Sequence, residues 1–94
     1  MTVLRLDRFR IDPADTEELL TRYSALAAVA KDAFPGLIDV QLAKIDDQTW
    51  IDVWRWDSLA NAQAAAPGPT IPEAGAAFSL TESLAVEYAE VLDA

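Results

Sequence analysis

Trp50, Asp52, Trp54 and Trp56, in the stretch TWIDVWRWDS, have types and spacing that could do chemistry. Side chains alternate across a strand, so these four share one face if the stretch is extended. Indoles supply flat walls and N–H donors, and each N–H wants a partner once buried. A carboxylate set among them loses hydration, which raises its pKa. Such a group can take a proton as a general base or donate a hydrogen bond as a neutral acid. The same residues also suit a packed core with Asp52 at a wet strand edge. The sequence leaves both readings open.

Composition narrows the chemistry. The chain has 94 residues, which predicts a single domain over residues 1–94. It contains no cysteine and no histidine. Disulfides, thiol chemistry and a His-ligated haem or zinc site within this chain are therefore excluded, and no metal or cofactor is expected. The net charge of −9 disfavours nucleic acid and anionic membranes as partners. No leader-like segment and no apolar run long enough for a membrane span stands out, so the chain reads as soluble and cytoplasmic. Hydrophobic residues make up 52% of a short chain, more than a thin core needs, which predicts burial against a second subunit.

The elements that must position the tryptophan row follow from patterning. VLRLDRFRI, residues 3–11, is a β-prone run with Val3, Phe9 and Ile11 in one phase and Leu4 and Leu6 in the other. Asp12-Pro13 marks a helix start. Leu19, Leu20, Tyr23, Leu26, Ala27, Ala30 and Phe34 then recur in steps of three and four, one helical face. Pro35-Gly36 ends it. Residues 37–45 form a second strand, with Ile38, Val40 and Leu42 expected on one face. Asp46-Asp47-Gln48 turns the chain into the strand 49–56. Asp57-Ser58 caps a second helix over residues 59–66, Pro67-Gly68-Pro69 breaks it, Pro72 to Phe78 adds helical turns, and residues 83–92 form the last strand. The order β-α-β-β-α-β is the ferredoxin-like α+β arrangement. Helices cover one face of such a sheet, and the other apolar face needs a partner.

The segment VWRWDSLANAQAAA, following a helix that ends in FPG and a hairpin, resembles the antibiotic biosynthesis monooxygenase family. The resemblance rests on Trp56-Asp57-Ser58 and on the FPG-L-x-x-V pattern of Phe34 to Val40, and it spans nearly the whole chain in element order. It implies a dimeric α+β barrel of ferredoxin-like subunits, each with a cavity between sheet and helices for a small aromatic substrate. It also implies, for some members, oxygenation by molecular oxygen with no metal or flavin, the substrate supplying the electrons. The family's motif tryptophan carries over to Trp56. Asp52 stands where such members have a pocket asparagine, so its implied role is that of a base. Ala62 stands where they have a tyrosine. The helix carries no histidine over Asn61 to Ala65, which argues against haem degradation.

The candidate site is therefore Asp52 and Trp56 as catalytic residues, with Trp54, Trp50, Tyr23 and Asn61 binding substrate. Tyr88 could add a phenol, Arg5 could place a cation near a substrate anion but reads first as a solvated surface residue, and Arg55 falls on the opposite face. The expected function is a cofactor-independent monooxygenase acting as a homodimer on a small aromatic compound and molecular oxygen. The alternatives are a non-catalytic small-molecule binder and a dimerisation module of the same fold.

Overall fold

The computed structural model describes residues 1–65 and 71–92. Four strands, β1 (Val3–Arg10), β2 (Leu37–Lys44), β3 (Thr49–Trp56) and β4 (Glu82–Glu90), form one sheet in the order β2-β3-β1-β4. All three pairings are antiparallel. Three helices, α1 (Thr16–Ala33), α2 (Leu59–Ala64) and α3 (Pro72–Phe78), complete the expected ferredoxin-like α+β subunit. No helix among the described residues is long and apolar enough to cross a membrane. The expected break at Pro67-Gly68-Pro69 lies outside the described residues.

Local chemistry explains the element boundaries. The Asp12 carboxylate accepts a hydrogen bond from the Ala14 amide, opening a 3-10 turn over Pro13–Asp15 that leads into α1. Gly36, at φ 84°, carries the chain out of α1 in a conformation that a side chain would strain. A Cβ there would also strike the side chains of Asp57 and Asn61 at 2.4 Å. The Asp46 carboxylate accepts from the Gln48 and Thr49 amides and so closes the β2–β3 hairpin. Ser58 caps α2 by accepting from the Asn61 amide.

Register decides which residues face the helices. Val3, Arg5, Asp7 and Phe9 of β1 lie opposite Trp56, Trp54, Asp52 and Trp50 of β3. The tryptophan row is buried on the helix side, with Leu19, Tyr23, Leu26 and Ala30 of α1. The expected grouping of Ile38 with Val40 and Leu42 is corrected: an irregularity between Leu37 and Asp39 shifts the register. Leu37 joins Val40 and Leu42 in the core, and Ile38 is exposed. Leu20, placed on the buried helical face by its spacing, is also exposed. Leu4, Leu6, Ile51 and Val53 lie on the opposite sheet face, which no helix among the described residues covers.

Candidate functional site

The core divides into two clusters, and the division separates the tryptophans. Trp50 packs with Phe9, Ile11 and Leu19. Trp54 and Trp56 pack with Phe34, Leu37 and the small residues Ala30, Ala62, Ala74 and Ala77. The Trp54 and Trp56 rings stack at 6.1 Å and 25°. The Phe34 ring meets both edge-on, at 5.6 Å and 6.2 Å. Small residues on α2 and α3 leave room above these rings.

That room is a cleft of about 280 Å³ between the sheet and the helices. Phe34, Trp54, Trp56 and Phe78 supply its aromatic walls, with Ala65 and Ala74 beside them. Its polar side is Arg5 and Asp7 of β1 together with Thr81 and Ser83 at the start of β4. The Ser83 hydroxyl donates to Asp7 Oδ1 at 3.0 Å. Arg22 pins the roof: its Nη1 donates to the Ala76 carbonyl at 2.9 Å and to Ser79 Oγ at 3.3 Å.

Asp52 does not border the cleft; it is 1% exposed and lies opposite the lining residue Asp7 in the register. Its Oδ1 accepts from the Tyr23 hydroxyl and, at 2.8 Å, from Trp54 Nε1. Its Oδ2 is buried with no partner among the described residues. Burial pushes the Asp52 carboxyl up to about 7, and the charge of Asp7 adds to the rise. The bonds from Tyr23 and Trp54, and the charge of Arg5, pull the other way. Burial, followed by the charge of Asp52, holds Tyr23 protonated well beyond the usual phenol range. Tyr23 is thus a fixed donor, and Asp52 is a group able to change protonation near neutral pH.

Among the residues singled out from sequence, Trp54 and Trp56 line the cleft, and Asp52 and Tyr23 form a buried network beside it. Trp50 lies in the other cluster, with Lys44 Nζ 5.9 Å from its ring centre. Asn61 borders an adjoining groove of about 210 Å³ that shares Phe34, Trp56 and Ala65 with the cleft, and its Nδ2 donates to Asp57 Oδ1 at 2.8 Å. This bond ties the Trp56-Asp57-Ser58 corner against Gly36. Ala62, at the family's tyrosine position, is fully buried and not on the cleft wall. Tyr88 lies opposite Arg5 on β4 and does not border the cleft. The sequence does not single out Asp7, Thr81 or Ser83, and of its two readings of Arg5, solvated or near a substrate anion, the structure puts Arg5 on the cleft wall. The available signal was the phase of Val3 and Phe9, which places Arg5 and Asp7 on the same face.

Fold and cleft together define a ferredoxin-like α+β subunit with an aromatic cleft between its sheet and its helices. Known structures of this architecture include the cofactor-independent oxygenase SnoaB from Streptomyces nogalater, similar at 21% identity over 99% of this chain and 95% of that chain, with TM-score 0.68. A Caulobacter crescentus protein described as an antibiotic biosynthesis monooxygenase matches at 18% identity over 98% and 91%, TM-score 0.76. The heme-degrader MhuD from Mycobacterium tuberculosis, solved with two hemes in its active site, matches at 25% identity over 98% of both chains, TM-score 0.72. No family model and no curated protein sequence matches the chain. The resemblance to the antibiotic biosynthesis monooxygenases is thus shown at the level of the fold. Haem does not fit the residues present: the chain offers neither histidine nor cysteine to bind its iron, and neither Tyr23 nor Tyr88 lines the cleft. Among the described residues no group of three metal-ligating side chains assembles.

Proposed function

We propose that the protein is a cofactor-independent monooxygenase that binds a small hydroxylated aromatic compound in the cleft. The observation that carries this reading is the placement of Asp7 on the cleft wall with Trp54 and Trp56, and of a titratable Asp52 opposite Asp7 across the β1–β3 ladder. The substrate ring lies against the aromatic walls, and its phenolic proton passes to the Asp7–Asp52 pair. Asp7 is the member that touches substrate. Asp52 holds the proton and acts through Asp7. The Trp56 N–H, buried without a partner among the described residues, is a free donor for the oxygen anion that forms.

The electron-rich ring carbon then bonds to molecular oxygen, giving a hydroperoxide. Loss of water breaks the O–O bond and the ring C–H bond and leaves a carbonyl. One oxygen atom ends in the product and the other in water. The substrate supplies all four electrons, so no further reductant enters. The uncovered sheet face, with Leu4, Leu6, Ile51 and Val53, supports pairing of two subunits as a cytoplasmic homodimer.

An oxygen electrode tests the reaction with a panel of hydroxylated naphthalenes and anthrones. The expected result is uptake matched to quinone formation, with none of the oxygen returned when catalase is added. Binding across the panel without oxygen uptake would overturn the enzymatic reading. A non-catalytic binder would then stand, a reading that the cleft of about 280 Å³ favours over a filled core.

A further inference from the structure

Arg5 is the cation among the described residues on the cleft wall, in a chain of net charge −9. Its Nε is buried and has no hydrogen-bond partner among the described residues. Two ion pairs form among those residues, Arg22–Glu18 and Lys44–Asp47, and Arg5 is in neither. Its directly paired cross-strand neighbours are Trp54 and Tyr88; its charge reaches the diagonal Asp52, but no carboxylate among the described residues forms an ion pair with it. A buried guanidinium nitrogen without an acceptor is costly unless a ligand supplies one. Guanidinium groups match carboxylates in both charge and shape.

Asp7 follows two residues later on the same face and already accepts the Ser83 hydroxyl. Two residues of strand span about 7 Å, roughly the separation of substituents at opposite ends of a fused ring pair. A cleft of about 280 Å³ is at the small end of ligand sites. Together these features describe a bicyclic-sized ligand with an anionic group at one end and a hydroxyl at the other.

We propose that the natural ligand is a hydroxylated aromatic acid whose carboxylate is held by Arg5 while its hydroxyl meets Asp7. This rests on the aromatic-substrate reading above and adds the chemical class. Arg5 binds the part of the molecule that does not react and so sets the ring's direction, aiming the hydroxyl at the carboxylate pair. Neutral phenols of the same shape enter the cleft but gain nothing from Arg5.

Isothermal titration of the intact protein tests this with 6-hydroxy-2-naphthoate, its methyl ester and 2-naphthol. The free acid is expected to bind about ten-fold or more tightly than either neutral compound. Arg5→Met is expected to bring the three affinities together, and Arg5→Lys to restore part of the difference. Equal binding of acid and ester by the unaltered protein would overturn the proposal, as would a preference that survives Arg5→Met. The ester comparison needs no variant, so misfolding of Arg5→Met does not blunt it. Oxygen uptake is read separately. Acid preference without turnover contradicts the oxygenase reading alone, and turnover without acid preference contradicts this proposal alone.

Discussion

Asp7 and Asp52 lie opposite each other across the β1–β3 ladder, Asp7 on the cleft wall and Asp52 buried beside it. Opposed residues on one sheet face have Cβ atoms only about 5 Å apart, so two carboxylates there resist being charged together. The Asp52 pKa rises chiefly because that carboxyl is buried, with the charge of Asp7 adding to the rise. The proposed chemistry depends on this asymmetry: one carboxylate can meet a ligand, and the other can store a proton near neutral pH.

The stored proton has a stability signature. The Asp52 pKa is near 7 when folded against 3.8 for an unperturbed aspartate, so between these values the folded state binds more protons than the unfolded state. Its contribution is fully present below about pH 4 and is lost as pH rises through about 7. Asp52→Asn removes this dependence. Urea unfolding from pH 4 to pH 8 is expected to show the variant gaining on wild type by up to about 4 kcal/mol. Parallel curves for the two proteins would contradict it.

Tyr23 keeps the Asp52 pKa from rising further, since its hydroxyl bonds the charged carboxylate. Tyr23→Phe is expected to move the Asp52 midpoint above the wild-type value, read by carbon-13 NMR of the side-chain carboxyl. The loss of stability, about 1–3 kcal/mol, is expected to be larger at pH 8 than at pH 5. An unmoved midpoint would show that the bond does not tune the carboxylate.

Arg22 is a structural partner of the cleft. Its bonds to Ala76 and Ser79 hold α3, which carries Ala74 and Phe78 over the tryptophans. Arg22→Ala is expected to cost about 1 kcal/mol in thermal or urea unfolding and to weaken ligand binding. Glu18→Ala removes only an exposed ion pair and is expected to change stability by less than about 0.5 kcal/mol. Equal effects of the two would rule out the pinning role.

The uncovered sheet face gives a further test. Val53→Lys places a charge at its centre, beside Leu4 and Leu6 on the neighbouring strand. Sedimentation is expected to show dimers for wild type and monomers for the variant at the same concentration. A monomeric wild type would contradict pairing through this face.

Much of this was legible from spacing. Alternation along residues 49–56 places Trp50, Asp52, Trp54 and Trp56 on one face, and the structure buries all four there. Alternation does not say how far along the face each lies. Trp50 and Trp56 sit at opposite ends of an eight-residue strand and enter different clusters. Ile38 was misassigned because an irregularity in β2 changes the phase of the strand, and sequence period cannot show it. Arg5 and Asp7 were obscured because β1 carries apolar residues in both phases, one for the helices and one for the outer face. Only pairing with β3 fixes which is which. Asn61 looked polar and available, but the tight corner at Gly36 uses it.

The most direct test follows the three indole N–H signals by proton–nitrogen NMR while 6-hydroxy-2-naphthoate is added. The account predicts saturable shifts of the Trp54 and Trp56 signals with Trp50 unmoved, because only the first two line the cleft. Trp54 and Trp56 signals that stay fixed while the ligand binds, or a shift of Trp50 equal to theirs, would contradict it. The tryptophan row would then serve the fold alone.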